Sequence, residues 1–474
     1  MNKLYYRDST TEHLMSDIKL KKVLSVFSLV MINVIAVDSI RTLPIAASFG
    51  LSLVTLYLLG AILFFIPTAL ITAELATTWP KNGGIYIWVR EAFGPKIGLL
   101  VVYLQWIYNI IWYPTILTLV AGTIAYLIEP AWISDPLFMS CAVLGIFWSC
   151  TLLNCFGMRL SSAVSSLGSL LGTLLPMIVI IGLGVMWLAN DKPIAIELKA
   201  SNLIPNISSL PELVFATAII YSLIGLEMSS VHASEVREPK RDYPKALLIS
   251  AVIILTSLTL SSLAVALVVP EKELDIVVGI MQAFENFFGD LGLPGLSKWI
   301  ACSIIIGGIG GVATWIIGPT KGLFAASEDN LIPKALQKTN QYGAPVPILI
   351  CQAIIGSILT LSFLLMPSVK SAYWLLSAMA TQLALLMYAV IFISAIRLRY
   401  NRKDTPRSFK IPGGNVGIWF VGGIGCLTSC SILLLGFVPP NAIDVGNLGI
   451  YEAILIGGMA LILIPWCFAK APEV

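Results

Sequence analysis

The sequence predicts an all-α integral membrane protein with about twelve transmembrane helices, and three observations carry that reading. Of 474 residues, 57% are hydrophobic and only 12% charged, with a mean hydropathy of +0.90. That is more apolar surface than a water-soluble domain could enclose. The chain divides into apolar runs of about 20 residues, the length that crosses a hydrocarbon core. Two of these runs, the first and the sixth, are interrupted by polar or glycine residues. Corresponding breaks in two oppositely oriented halves are the sequence pointer to an inverted repeat with a site at the midplane.

Taken in order, the runs fall near 23–49, 51–77, 98–128, 137–156, 161–189, 211–234, 244–269, 297–325, 346–366, 371–398, 416–437 and 449–469. The expected organisation is a cytoplasmic N-terminal tail (1–22), a first repeat of helices one to five (23–190), a second of helices six to ten (191–400), and a segment (401–474) with two further helices and a short cytoplasmic tail. Orientation follows from the basic residues, since short cytoplasmic loops keep Lys and Arg. Most of the 29 fall on one side, among them Lys19, Lys21 and Lys22, Lys81, Arg90 and Lys96, Arg237 to Lys245, and Arg397 to Lys410. The other side holds Lys192, Lys199, Lys272, Lys298 and Lys370. Both termini are therefore expected in the cytoplasm of a bacterial-type inner membrane.

The net charge of +3 is accounted for by loops facing anionic lipid and calls for no nucleic-acid partner. The mixed, polar start carries no removable signal peptide. The eight cysteines lie inside apolar runs and read as packing residues, not as a disulfide or metal framework. With only His13 and His232 present, no histidine-rich metal site is expected. No nucleophile with a base and no soluble catalytic domain appears, so neither an enzyme nor a cofactor is expected.

The two interruptions are the candidate site. Asp38, Ser39, Ile40 and Arg41 break the first run, and Ser222, Gly225 and Glu227 the sixth. A charge at the bilayer centre costs roughly 2.5–3.5 kcal/mol even on the mildest scale, so such residues face a cavity and mark where something binds. Broken helices leave free amides, which suit a carboxylate, and free carbonyls, which suit an ammonium. Together they describe a zwitterion. Asp38 and Arg41 stand at i, i+3: if the backbone stays helical they pair with each other, and if it does not, Arg41 is free to hold a carboxylate in a planar fork.

Several stretches resemble a known family. Trp79 to Tyr86 (WPKNGGIY), followed by Ala92, Phe93 and Gly94, and the sixth segment from Tyr221 to Ala246 (YSLIGLEMSSVHASEVREPKRDYPKA) are similar to the amino acid/polyamine/organocation transporter superfamily. Two further blocks, Trp315 to Pro333 (WIIGPTKGLFAASEDNLIP) and Phe409 to Gly414 (FKIPGG), resemble its glutamate:γ-aminobutyrate antiporter branch. The resemblance implies that substrate binds between the unwound parts of helices one and six, and that a bundle of helices one, two, six and seven rocks against helices three, four, eight and nine. The family pattern in the first break is small and Gly-Ser-Gly-like, so Asp38 and Arg41 depart from it.

By the same resemblance Tyr221 is the aromatic above the substrate, and Trp315 and Tyr388 occupy matching positions. Glu227 is the family acid after the glycine break, either a carboxylate accepting freed helix amides or a proton-coupling group. His232 is the other proton-coupling candidate, with a packing role as its plainer reading. On the third helix Gln105, Tyr108, Asn109 and Trp112 recur at helical spacing, with Tyr113 beside Pro114, and read as path-lining; Ser377, Thr381 and Tyr388 share a face of the tenth. Lys321 reads as filling space that sodium-dependent relatives of the fold give to an ion, and no cluster of Ser, Thr and carbonyl ligands suggests sodium. Gly307, Gly308, Gly310 and Gly311, and Gly168 and Gly172 with Ser161, Ser165, Ser169 and Thr173, read as close helix packing.

The resulting expectation is a secondary active transporter, an antiporter exchanging an amino acid such as glutamate for a relative or its decarboxylated amine such as γ-aminobutyrate. A proton-coupled amino-acid or polyamine symporter is the alternative, and a non-transporting amino-acid sensor a third. The partners are small amino acids and the lipid bilayer, with a homodimer left open. Ending at Val474, the chain is expected to lack the C-terminal plug with which some branch members close at neutral pH.

Overall fold

The computed structural model describes residues 24–81, 83–156, 168, 170–329, 331–440 and 443–467. Among them every named element is a helix, joined by turns and loops, with one isolated bridge between Leu24 and Val236. Eleven elements are long and apolar enough to cross a membrane: α1 (Val26–Ala47), α2 (Gly50–Thr78), α3 (Pro95–Ile128), α4 (Pro136–Cys155), α5 (Leu170–Ala189), α6 (Leu210–Ser230), α7 (Pro239–Val268), α8 (Leu296–Ala325), α9 (Val346–Leu365), α10 (Val369–Asn401) and α11 (Gly414–Leu435). A further helix, α12 (Leu448–Cys467), stands where the twelfth run is expected, with Leu448–Ile464 as its apolar stretch. The chain is a multi-span membrane protein.

Burial divides the helices. α3, α6 and α10 are 78% buried over their apolar windows, against 28–33% for α4, α5 and α11. The first group is therefore the centre and the second the rim, whose outward Leu152, Ile178, Val185, Trp419, Phe420 and Leu427 are exposed as lipid-facing side chains are. Of the cysteines, Cys150 is buried, but Cys141, Cys302 and Cys430 sit on this outer surface. Packing thus accounts for some of them only, because an apolar run alone does not say which face of a helix turns inward.

Both interruptions break the helix. α1 is α-helical over Val26–Val37, where a Ser25 cap opens it, and then runs extended through Asp38 (φ −61°, ψ 119°) and Ser39 (φ −139°, ψ 116°). A 3-10 turn, Ile40–Thr42, leads into Leu43–Ala47, which Pro44 helps to start because its missing N–H is not needed in a first turn. α6 opens at Leu210 with a Ser209/Glu212 capping box, proceeds to Tyr221, and turns at Gly225 with φ +124°. Only glycine adopts that angle without strain, and a Cβ there would lie 2.9 Å from the Ala36 carbonyl oxygen. The two breaks thus pack directly on each other. Beyond Gly225 the chain forms a 3-10 helix, Leu226–Glu235. The apolar run predicts a continuous half-helix there, but the left-handed Gly225 and the serines after it weigh against the α geometry. A backbone bond from the Arg237 amide to the Leu24 carbonyl (3.2 Å) ties this segment to the start of α1.

Prolines and glycines set the surrounding helices. Pro319 inside α8 supplies no N–H to the Trp315 carbonyl four residues earlier, and the Tyr113 hydroxyl of α3 donates to that carbonyl at 2.9 Å. Gly168 and Gly172 face Gly310 and Gly307 of α8, the close crossing expected of them. Ser161, Ser165 and Ser169 lie outside the described residues.

At the basic end, Glu74 of α2 is 3% exposed and accepts from Arg399 at the end of α10 (Nε to Oε1, 3.0 Å), from Arg407 Nε (3.2 Å) and from the Ile411 amide (2.9 Å). Arg399 also donates to the Gly414 carbonyl at 3.0 Å. The FKIPGG segment thus closes over a buried carboxylate. Counting Arg399 among loop charges is corrected here: its charge is spent inside the protein. Beside it, Arg90 of the short helix Ile85–Phe93 pairs with Asp329 at 3.0 Å, and Tyr86 donates to the same carboxylate.

Candidate functional site

Two neighbouring cavities lie at the breaks. The central one, about 430 Å³, is lined by Ala36, Val37 and Ser39 of α1, Tyr108, Asn109 and Trp112 of α3, Ile224 of α6 and Trp315 of α8. The second, about 640 Å³, lies among α1, α6, α10 and α11, with Trp374, Ser377, Thr381, Gln382 and Gly436 in its wall. Arg41, Thr42, Tyr221 and Ser222 line both.

Arg41 is the charge at the partition. Its Nη1 donates to the Tyr373 hydroxyl (3.1 Å) and, more weakly, to Ser377 (3.4 Å). Its guanidinium lies 4.9 Å from the centre of the Tyr221 ring and 5.6 Å from that of Tyr373, a cation–π sandwich. The residue is 3% exposed, its Nε has no partner, and among the described residues it forms no ion pair. Asp38 does not neutralise it. The extended stretch at Asp38 and Ser39 sends the two side chains apart, and Asp38 accepts instead from Ser257 of α7 at 2.8 Å. Of the two options at i, i+3, the helical pairing is the one that fails.

Glu227 lines neither cavity. Its Oε2 accepts from Tyr388 of α10, whose oxygen in turn accepts the Gly225 amide at 3.0 Å. Gln105 and Tyr108 of α3 approach its Oε1 at 3.4 and 3.5 Å. The acid therefore braces the α6 break against α3 and α10. Side-chain donors from α3 and α10 reach it, while Tyr388 takes up the Gly225 amide itself.

Of the residues singled out in the sequence, Ser39, Arg41, Trp112, Tyr221, Ser222 and Trp315 come together around the cavities. Asp38, Ile40, Tyr113, Gly225, Glu227 and Tyr388 are buried behind them. Tyr113 is corrected from lining to bracing: it packs on Phe147 (5.4 Å) and satisfies the Trp315 carbonyl. The side chains of His232 and Lys321 lie outside the described residues. Sequence reasoning missed Tyr373, Trp374 and Gln382, although Tyr373 stands one turn before Ser377 on the same helix face, a signal that was available.

A bundle of membrane-crossing helices whose two broken members enclose a charged cavity is the construction of a membrane transport protein. A sequence profile described as amino acid permease matches residues 22–460, and the chain belongs to that family. It is therefore an amino-acid transporter and not an enzyme. The chain is 49% identical over 451 residues to an uncharacterized transporter of Legionella pneumophila, covering 95% of this chain and 97% of that one. It is 31% identical over 452 residues to a glutamate/gamma-aminobutyrate antiporter of Lactococcus lactis (92% and 88% covered). A probable agmatine/putrescine antiporter of the same species is 23% identical over 400 residues (83% and 84% covered).

Proposed function

We propose that the protein is an antiporter for an acidic amino acid, exchanging a glutamate-like substrate for a related amino acid or its decarboxylated amine, such as γ-aminobutyrate. The observation that carries this reading is Arg41, a buried guanidinium at the wall of both cavities that no carboxylate among the described residues neutralises. A buried charge without a partner is costly, and a substrate carboxylate in fork geometry is the natural complement. The amides that open the second half of α1 suit the α-carboxylate. Trp112, Trp315 and Tyr221 supply the apolar walls for the methylenes. The similarity to the antiporter of Lactococcus lactis supports the same pair of substrates.

In this reading the substrate-binding set is Ser39, Arg41, Trp112, Tyr221, Ser222 and Trp315, with Glu227, Tyr388 and Tyr113 holding the frame. Helices α1–α5 and α6–α10 form the two halves of an inverted repeat, and both termini face the cytoplasm of the cell membrane. Transport proceeds by alternating access about the midplane. The test is uptake of labelled glutamate into liposomes that contain the purified protein, with and without internal γ-aminobutyrate or glutamate. Uptake that requires internal substrate supports exchange. Uptake indifferent to internal substrate but driven by a proton gradient would replace it with the symport reading.

A further inference from the structure

The second cavity, which runs from the breaks toward the rim helix α11, shares Arg41, Thr42, Tyr221 and Ser222 with the central one and has a chemistry of its own. Its α10 wall is a stripe at helical spacing, Trp374, Ser377, Thr381 and Gln382. Arg41 meets this stripe at Ser377, to which its Nη1 donates at 3.4 Å. Further along the same face stands Gln382, 1% exposed. Its Nε2 donates to the Leu433 carbonyl of α11 at 3.3 Å, and it fits there because Gly436 has no Cβ, which would lie 2.9 Å from that nitrogen. The acceptor at Leu433 fixes which way the amide turns, and Gln382 Oε1 is left buried without a partner. Beside it, the Thr381 hydroxyl spends its proton on the Ser377 carbonyl at 2.7 Å, so its oxygen too remains able to accept.

The cavity thus offers a positive charge at one point and unsatisfied acceptors further along, between apolar walls that include Ile45, Val214, Ala218 and Ile432. Buried polar atoms are rarely without partners, and the complement of this pattern is a carboxylate and an ammonium joined by methylenes. Ser377 and Gln382 stand five residues apart, a rise of about 7.5 Å along the helix. A spacer of about three or four methylenes covers that distance with a hydrogen bond at each end. We propose that the second cavity binds an ω-amino carboxylate, with its carboxylate on Arg41 and its ammonium on the Gln382 side-chain carbonyl and the Thr381 hydroxyl. The inference rests on the proposed exchange only in making γ-aminobutyrate the occupant. Decarboxylation removes the α-carboxylate that the α1 amides suit and keeps the carboxylate that Arg41 suits. The ammonium of the product then lies in the second cavity, while the amino end of glutamate lies in the central one. One arginine serves both substrates, and Gln382 is the residue that tells them apart.

The test is binding to the purified full-length protein in detergent, read by calorimetric titration and by thermal stabilisation. The ligands are β-alanine, γ-aminobutyrate, δ-aminovalerate and ε-aminocaproate, with butyrate as the analogue that keeps the carboxylate and lacks the ammonium. The expected result is a length optimum at γ-aminobutyrate or δ-aminovalerate. Gln382→Met, which keeps the bulk of the side chain and removes the acceptor, should cut the advantage of γ-aminobutyrate over butyrate by roughly 10- to 100-fold, the scale of one hydrogen bond to a charged group. Gly436→Ala, which drives the amide from its place without changing a polar side chain, should shift the same ratio and serve as the readout if Gln382→Met does not fold. Butyrate binding the wild type as tightly as γ-aminobutyrate would overturn the subsite. An advantage unchanged in both variants would put the ammonium in the central cavity and overturn it too, and equal loss of both ligands would reduce Gln382 to a structural role with the same consequence. The exchange fails on a different result, glutamate uptake that ignores internal substrate, so the subsite and the exchange can fail separately.

Discussion

Arg41 and Arg399 are buried to nearly the same depth, 3% and 5% exposed, and their surroundings are opposite. Arg399 meets the Glu74 carboxylate through two nitrogens, and the remaining capacity of that carboxylate is filled by Arg407 and the Ile411 amide. Arg41 meets two neutral hydroxyls and two aromatic faces. A buried charge that the protein neutralises locks helices together, here α2, α10 and the loop before α11. A buried charge left to hydroxyls and rings beside a cavity remains available to a ligand. The contrast separates structure from function without reference to where either residue stands in the chain.

The comparison can be broken at its structural end first. Glu74→Ala leaves two buried guanidinium groups without their carboxylate, and losing one partner of such a pair costs about 3–5 kcal/mol. The expected outcome is a large fall in melting temperature in detergent, or no recoverable monodisperse protein; wild-type melting would mean that Glu74 locks nothing. Arg41→Ala should leave melting nearly unchanged while exchange of acidic amino acids falls. A hydrogen bond to a charged group is worth about 1.5–3 kcal/mol, or roughly 10- to 100-fold in kcat/KM. Neutral amino acids should lose much less, and Arg41→Lys should not restore the acidic preference, since a point charge lacks the fork. Equal loss for neutral and acidic substrates would end the assignment of Arg41 to the substrate.

Smaller effects sharpen the frame around this pair. Tyr388→Phe removes the hydroxyl shared by Glu227 and the Gly225 amide and should cost about 1–3 kcal/mol of stability, with the ratio of acidic to neutral transport preserved. A changed ratio would move Tyr388 from bracing to substrate contact. The smallest change is expected at Asp329. Burial alone would raise its carboxyl, but the hydrogen bonds from Tyr86 and Arg90 and the Arg90 charge outweigh that and hold it below the usual carboxylate range. A folded value below the unfolded one, about 3.9, means that the ionised group stabilises the fold above that pH and ceases to as the pH falls through the lower folded value. Because both side chains are partly exposed, the contribution is small. Asp329→Asn should slightly lower the melting temperature near neutrality and flatten its decline below about pH 4.

Much of this architecture is legible in the chain. Apolar runs of about 20 residues marked the spanning helices, because a helix satisfies its own backbone hydrogen bonds within one such run, as the bilayer requires. Gly225 marked the sixth break, because a glycine acts on the backbone within a turn of itself. Helical spacing put Gln105, Tyr108 and Trp112 on one face, and Tyr108 and Trp112 do line the central cavity.

The rest required the folded chain. Asp38 and Arg41 stand three residues apart, and the spacing allows them either to pair or to part. The outcome turned on two extended residues, whose conformation depends on what α6, α7 and α10 offer each side chain. Ser257 and Tyr373 lie more than 200 and 300 residues away in sequence, so nothing near the break announces them. Glu74 with Arg399, and Tyr113 with the Trp315 carbonyl, are pairings of the same kind. Local chemistry says where a helix breaks; which partners the freed groups find depends on long-range packing, and that alone separated the arginine left to hydroxyls and rings at a cavity wall from the one locked in the frame.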